Sequence, residues 1–199
     1  QYFPKDGWVE HDAIEIWNGV KNLLKTIIKK NSLETSQIVS MGITNQRETT
    51  VLWNKKTGKP INKAIVWQDR RTSDYCKKLK NFKKDILIQK ITGLVLDPYF
   101  SATKIKWILD NNPKAKKILN ENNLLFGTID SWLLWNLTQG KSHLTDITNA
   151  SRTMIFDSKK EEWSNTLLRL FNIPKSILPR VVENAYNFGT TRLFGGNIE

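Results

Sequence analysis

The chain has 199 residues, of which 39% are hydrophobic and 10% aromatic, and this composition is sufficient to build one packed domain. Its formal net charge is +12, and its single cysteine, Cys76, excludes an intrachain disulfide and is typical of a reducing compartment such as the cytoplasm. No apolar run approaches the roughly 20 residues that a membrane-spanning helix needs, and no stretch resembles a signal peptide, so we expect no membrane partner.

The first predicted elements are a long helix and a group of strands. Asp12, followed by Glu15, resembles an N-terminal capping box, and apolar residues at helical spacing then predict a helix over residues 13–30. Strand-like runs follow at residues 38–44, 49–54 and 64–67.

Helical patterns dominate the remainder of the chain. The predicted helices cover residues 72–79, 84–91, 101–111, 129–137 and 164–171. Short apolar runs at residues 124–127 and 154–156 predict buried strands, whereas residues 184–199 show no clear period. Strands mixed with helices indicate an α/β fold.

Several conspicuous side chains are predicted to have structural roles. The spacing of Trp107, Trp132 and Trp135 is helical and predicts core positions, and Cys76 is expected to be a packed thiol. The run from Asp69 to Arg71 is predicted to form a salt bridge at a helix entry rather than to orient a substrate or a phosphate.

The most informative segment is Thr44-Asn45-Gln46-Arg47-Glu48-Thr49-Thr50, which lies between apolar, strand-like runs. Because successive side chains of a strand point to opposite faces, Arg47 and Glu48 can hold one ligand only from a turn or bulge. A guanidinium beside a carboxylate offers donors and acceptors that suit a small molecule with adjacent hydroxyl groups. Taken alone, the pattern is also that of a surface Arg–Glu pair in a hairpin loop.

Five further segments accompany this motif in one order along the chain. They are residues 7–12, 62–71, 92–111, 125–135 and 145–154. Together with the motif they resemble glycerol kinases in the FGGY family of carbohydrate kinases, and the resemblance covers residue 1 to about residue 180. It implies a ribonuclease-H-like, actin-type ATPase domain, with a mixed sheet and flanking helices.

The resemblance also implies a reaction and a binding site. FGGY kinases transfer the γ-phosphoryl group of ATP, with magnesium, to a hydroxyl group of a polyol in a cleft between two domains. The motif implies glycerol as the small-molecule substrate, because family members that act on pentuloses or hexuloses carry a different motif here. By resemblance, Glu48 accepts hydrogen bonds from two hydroxyl groups and Arg47 donates to one or two. The Tyr99 phenol adds a further bond, and Trp67 forms an apolar wall for the carbon chain.

The same resemblance predicts a partial N-terminal domain over residues 1–199, truncated at both ends. In the family, a phosphate-binding hairpin precedes the part matched here, the aspartate that accepts the proton lies beyond Glu199, and a second domain holds the adenine. We therefore expect no catalytic residue, no ATP-binding residue and no metal ligand in this chain; its two histidines, His11 and His143, also lack partners at ligand spacing. The chain is predicted to carry part of the glycerol site and to be inactive alone.

Two other functions fit parts of the sequence. A kinase for another small polyol or sugar would share these motifs. A non-catalytic nucleic-acid-binding module would fit the charge of +12. However, lysines outnumber arginines and are dispersed over several predicted helices, whereas proteins that contact base edges favour arginine, so we expect no nucleic-acid partner. The sequence leaves a homo-oligomer open.

Overall fold

The computed structural model describes residues 1–199 and consists of short strands surrounded by helices. The eight α-helices are α1 (Ala13–Lys30), α2 (Ser73–Asn81), α3 (Lys84–Thr92), α4 (Ser101–Asn111), α5 (Pro113–Asn120), α6 (Ile129–Leu137), α7 (Ile147–Ala150) and α8 (Asn165–Phe171). The eight strands are β1 (Glu10–His11), β2 (Val51–Asn54), β3 (Ala64–Ile65), β4 (Leu124–Gly127), β5 (Leu144–Asp146), β6 (Phe156–Asp157), β7 (Glu162–Trp163) and β8 (Arg180–Val182). None of the helices combines the length and the apolar character that crossing a membrane requires.

Helix ends follow the local sequence signals. The Asp12 side chain accepts hydrogen bonds from the N–H groups of Ile14 and Glu15, so α1 begins where the sequence predicts. Only this half of the predicted capping box forms, because the Glu15 carboxylate instead accepts a 2.5 Å hydrogen bond from the Tyr2 hydroxyl. Helix α3 ends at Gly93, whose left-handed conformation is typical of a helix C-terminus.

The strands pair in four two-stranded ladders. Strand β2 runs antiparallel to β4, with Val51 opposite Gly127, and β1 runs antiparallel to β3. Strands β5 and β8 are parallel, and β6 and β7 are antiparallel, so both orientations of the predicted mixed sheet occur. A single bridge between Thr50 and Ile65 links the entry of β2 to β3.

The predicted strand over residues 38–44 is wrong. Within residues 39–44 the only hydrogen bond between backbone groups joins the Met41 N–H to the Glu199 carbonyl, at 2.6 Å. A strand needs a neighbour to satisfy its N–H and C=O groups, and no strand of the chain pairs with this segment. Val39 is accordingly 85% exposed despite its apolar side chain.

The core forms two hydrophobic clusters. The larger one packs α2, α3, α4 and α8 against β4 and β6, and the smaller one contains Trp53, Trp132 and Trp135. The core prediction is therefore confirmed for Trp132 and Trp135, whereas Trp107 is half-buried and packs edge-on against Trp8. Cys76 is buried, as expected for a packed thiol, and its burial raises the pKa of the thiol to about 12.

Candidate functional site

The candidate site is built on a tight turn immediately before β2. The Thr49 N–H donates to the Arg47 carbonyl at 2.8 Å, and Glu48, between them, has φ of 65°. This confirms the prediction that Arg47 and Glu48 occupy a turn. A three-residue turn with positive φ at a residue other than glycine is rare and strained, and such strain persists only where the surrounding structure holds it.

Neighbouring hydroxyl groups hold the backbone of this turn. The Ser101 hydroxyl, at the start of α4, donates to the Glu48 carbonyl at 3.1 Å, and the Thr50 hydroxyl donates to the same carbonyl at 3.3 Å. Thr49, between Glu48 and Thr50, has a buried hydroxyl with no hydrogen-bond partner. The backbone of the turn is therefore held both by the start of α4 and by a residue that directly follows the turn.

The two charged side chains of the turn have different environments. The Glu48 side chain is only 3% exposed, and its Oε1 accepts a 2.6 Å hydrogen bond from Nε of Arg152. Arg47 is exposed, and its guanidinium makes no hydrogen bond or salt bridge with the protein. Arg152 lies within one of the family-like segments, residues 145–154, but no role was predicted for it. Its distance of 104 positions from Glu48 gave no local signal of the pair.

A pair of aromatic side chains adjoins this ion pair through Tyr99. The rings of Trp67 and Tyr99 have centres 5.3 Å apart, and the Tyr99 ring also packs against Phe100, at 5.2 Å. The Arg152 guanidinium carbon lies 5.7 Å from the centre of the Tyr99 ring and 4.9 Å from that of Phe100. Through Arg152, three of the four predicted site residues are therefore connected: Glu48, Tyr99 and Trp67. Arg47 is connected to these residues only through the turn that it forms with Glu48.

A buried lysine contacts the backbone of the two adjacent aromatic residues, Tyr99 and Phe100. Nζ of Lys104, in the first turn of α4, donates to the carbonyl groups of Tyr99 and Phe100. Burial lowers the pKa of Lys104 to about 7, and the negative charges of Asp69 and Glu48 oppose this shift. Lys104 also lies within a family-like segment, residues 92–111, and no role was predicted for it.

The run from Asp69 to Arg71 has the predicted structural role. The buried Asp69 carboxylate accepts from the Val9 N–H at 2.7 Å and from Nη2 of Arg71 at 2.8 Å, just before α2 begins. The Arg71 guanidinium also contacts Glu10, at 2.8 Å, and lies 3.7 Å from the centre of the Trp8 ring. The helix-entry salt bridge is thus confirmed.

One well-defined cavity has none of these residues in its lining. It has a volume of about 490 Å³, is lined by residues 40–43, α6 and residues 184–191, and includes none of the four predicted site residues. Asp130 lines it, accepting hydrogen bonds from Thr128 and, at 2.7 Å, from Thr145, while burial raises the pKa of its carboxyl group. The Asp130 carboxylate therefore has its hydrogen-bond donors within the protein itself.

The histidines make structural contacts. His143 shares a 2.8 Å hydrogen bond between its Nε2 and the Phe126 carbonyl, and burial lowers its pKa to about 4. His11 Nδ1 lies 3.0 Å from Nε2 of Gln46, and burial lowers its pKa as well. No three His, Cys, Asp or Glu side chains come together in an arrangement that could hold a metal ion.

Comparison with known proteins shows which proteins the chain is similar to. Residues 1–194 match the model of the N-terminal domain of the FGGY family of carbohydrate kinases. The chain is 54% identical over 191 residues to the glycerol kinase of Alcanivorax borkumensis, covering 96% of this chain and 38% of that protein. It is 52% identical over 199 residues to the glycerol kinase of Treponema denticola, covering 99% of this chain and 40% of that protein.

Solved structures give the same result for the fold. The structure of Plasmodium falciparum glycerol kinase with ADP superposes with a TM-score of 0.93 at 37% identity, covering 100% of this chain and 41% of that one. A xyloylose kinase from Brucella ovis superposes with a TM-score of 0.83 over 96% of this chain and 37% of that one, at 22% identity, which shows the fold alone. The predicted ribonuclease-H-like, actin-type ATPase fold is thereby confirmed. The chain spans about two fifths of the length of the curated relatives it matches.

Proposed function

Because the chain belongs to the FGGY family of carbohydrate kinases, we propose that it supplies the glycerol-binding part of a kinase that converts glycerol and ATP to glycerol 3-phosphate and ADP. The observation that carries this proposal is the buried Glu48 carboxylate, presented from a strained turn beside Tyr99 and Trp67. The identities of about 50% to glycerol kinases over almost the whole chain support glycerol as the substrate.

The proposal gives each site residue one role. Glu48 accepts hydrogen bonds from glycerol hydroxyl groups, and its Oε2, which makes no hydrogen bond to the protein, is the oxygen available for this. The exposed Arg47 donates to a hydroxyl group from the other side of the turn. The Tyr99 phenol makes a further hydrogen bond, and Trp67, packed on Tyr99, faces the carbon chain.

Energetics set the affinity that such a site can reach. Glycerol has six heavy atoms, and at ~1.5 kcal/mol per atom the ceiling is roughly 9 kcal/mol. A hydrogen bond to a charged group contributes about 1.5–3 kcal/mol, so Glu48 and Arg47 account for a large share of that ceiling. Binding is therefore expected to be micromolar at best.

ATP and magnesium belong to the proposed reaction but are assigned to no residue of this chain. ADP is present in the Plasmodium falciparum glycerol kinase structure, which supports nucleotide use in the family. The acidic side chains of the chain do not form a set that fits a magnesium ion. The proposal likewise assigns no general base among residues 1–199, and we expect the chain alone not to turn over.

We also propose a cellular location and a binding partner for the kinase. A cytoplasmic location is supported by the single, buried cysteine. Glycerol, rather than a nucleic acid, is the proposed partner because the lysines that produce the charge of +12 are dispersed over several helices.

Turnover of a chimeric enzyme tests the proposed substrate. This chain would replace the matched segment of the Treponema denticola glycerol kinase, to which it is 52% identical. We expect coupled ADP-release assays to give a kcat/KM for glycerol at least tenfold above those for erythritol and xylulose, because the chain is about 50% identical to glycerol kinases over almost its whole length. The 199-residue chain alone, assayed in parallel, should release no ADP above background.

Preference of the chimera for xylulose or erythritol would contradict the choice of glycerol, and robust turnover by the chain alone would contradict the assignment of a partial site. Retention on heparin at moderate salt, with a steep salt dependence of RNA or DNA binding, would instead favour a nucleic-acid-binding module.

A further inference from the structure

We propose that Arg152 is a positioning residue of the glycerol site: it holds the Glu48 carboxylate in the orientation that receives glycerol hydroxyl groups. This inference rests on the proposed function, because it assumes that Glu48 binds glycerol. It adds a residue from a distant part of the chain, which reaches the turn from the segment that follows α7.

The turn fixes the backbone of Glu48 but not its side chain. The Thr49 N–H to Arg47 carbonyl bond and the Ser101 hydroxyl bond at 3.1 Å both act on the main chain. A glutamate side chain retains three rotatable bonds, so a carboxylate held only through its backbone would sample several directions. Orientation of the carboxylate therefore requires a contact at the carboxylate itself.

Arg152 provides the only hydrogen bond to that carboxylate from the protein. Its Nε donates to Oε1 at 2.6 Å, and the two side chains are 29% and 3% exposed, respectively. A charge-assisted bond of this length in a nearly buried position is directional as well as strong. It immobilises one oxygen and leaves Oε2 for a ligand.

Arg152 is itself held in place. Its guanidinium lies over the Phe100 ring, at 4.9 Å, and beside the Tyr99 ring, at 5.7 Å, distances typical of cation–π contacts. The next residue, Thr153, accepts a 2.8 Å hydrogen bond at its carbonyl from the N–H of Ala102 in α4. The arginine therefore connects the Glu48 turn with the aromatic segment and with the start of α4.

A purely stabilising role accounts poorly for this arrangement. Taking two charges out of water is expensive, and replacing a buried ion pair by apolar residues is often neutral or stabilising. Moreover, the pair satisfies only one carboxylate oxygen. A pair that fixes one carboxylate oxygen and leaves the other without a protein partner is what orientation of a ligand-binding carboxylate requires.

A double-mutant cycle on the 199-residue chain tests the inference. Glycerol affinity would be measured by NMR titration for the unsubstituted chain, Arg152→Met, Glu48→Met and the double variant. We expect Arg152→Met to weaken binding about 10-fold to 100-fold, the equivalent of losing one charged hydrogen bond. In the Glu48→Met background the same substitution should change affinity less than about threefold, because there is no carboxylate left to position.

Two further variants separate positioning from general damage. Arg152→Lys keeps the charge but not the planar Nε donor, so its loss of affinity should be smaller than that of Arg152→Met. Arg169→Met, at an exposed arginine of α8, is the matched control and should bind glycerol as the unsubstituted chain does. Thermal melts followed by circular dichroism identify any variant that fails to fold. If Arg152→Met does not fold, Arg152→Lys replaces it in the double-mutant cycle.

The outcomes distinguish this inference from the proposed function. Equal factors of loss for Arg152→Met in both backgrounds would mean that Arg152 acts independently of Glu48, and the inference would be wrong while the glycerol site stood. Unchanged binding by Arg152→Met would have the same consequence. Absence of saturable glycerol binding by the unsubstituted chain would overturn the proposed function, and the inference with it.

Discussion

At the residue scale, the site combines a strained backbone with buried charge. Glu48 adopts φ of 65°, its carboxylate is 3% exposed, and its ion-pair partner comes from a remote segment. Each of these features is unfavourable by itself. Their coincidence at one residue, within a motif of a kinase family, is the kind of local conflict that functional sites retain.

Lys104 is a second buried ionisable residue, besides Glu48, and it contacts the backbone of the site residue Tyr99. Because the pKa of its ammonium group is lowered to about 7 in the folded chain, the unfolded chain binds the extra proton between pH 7 and the ordinary lysine value near 10.5. Stability should therefore increase as pH rises above 7. In Lys104→Met this contribution is absent. The free energy of unfolding of the unsubstituted chain should therefore increase, relative to that of the variant, by up to about 1.4 kcal/mol per pH unit.

Urea denaturation of both proteins between pH 7 and 8.5 measures this gain. The upper limit keeps Cys76, whose folded pKa is raised to about 12 from an ordinary value of 9.0, from titrating strongly in the unfolded chain. A stability difference between the two proteins that stays constant with pH would show that burial does not perturb Lys104.

At the element scale, the site depends on how β2, β4 and α6 pack. Gly127, the last residue of β4, lies so close to α6 that an added Cβ would be 2.5 Å from Cβ of Ser131 and 3.0 Å from the Trp53 ring. Both neighbours are buried and surrounded by packed side chains. Strand β2 cannot move away without disturbing the turn that carries Glu48.

Two glycine-to-alanine substitutions should therefore have effects of opposite sign. Gly127→Ala introduces a clash in a packed core and should destabilise the chain by roughly 1–3 kcal/mol. Gly19→Ala lies within α1, where an added Cβ meets nothing within 4 Å, and should stabilise by about 0.5–1 kcal/mol. Urea denaturation gives both values, and a stabilising Gly127→Ala would contradict the packing described here.

The sequence predicted elements well where their signals were local. Helix α1 with its Asp12 cap, α3 with Gly93 and the buried strand β4 all lie within a residue or two of the predicted positions. Strands of two or three residues, such as β1 and β8, escaped prediction because alternation cannot be read over so short a length. Residues 38–44 failed for the opposite reason: their pattern is that of a strand, but pairing depends on a neighbour that the pattern does not reveal.

At the scale of the whole molecule, the candidate site brings together distant parts of the chain. The motif around Glu48 and the partners Trp67 and Tyr99 were accessible from the sequence through the family resemblance. The pairing of Glu48 with Arg152, 104 positions away, was not, because only the fold creates it. The high charge of +12, which is conspicuous in the composition, comes largely from lysines that are dispersed over several helices and absent from the ion pair at the site.

Equilibrium binding of glycerol to the 199-residue chain tests the central claim most directly. Isothermal calorimetry should show saturable binding that weakens about 10-fold to 100-fold in Glu48→Gln, because the amide accepts hydrogen bonds less strongly than the carboxylate. The matched substitution Glu183→Gln, at an exposed glutamate, should leave the affinity unchanged. Equal glycerol affinity in the unsubstituted chain and in Glu48→Gln would contradict the account.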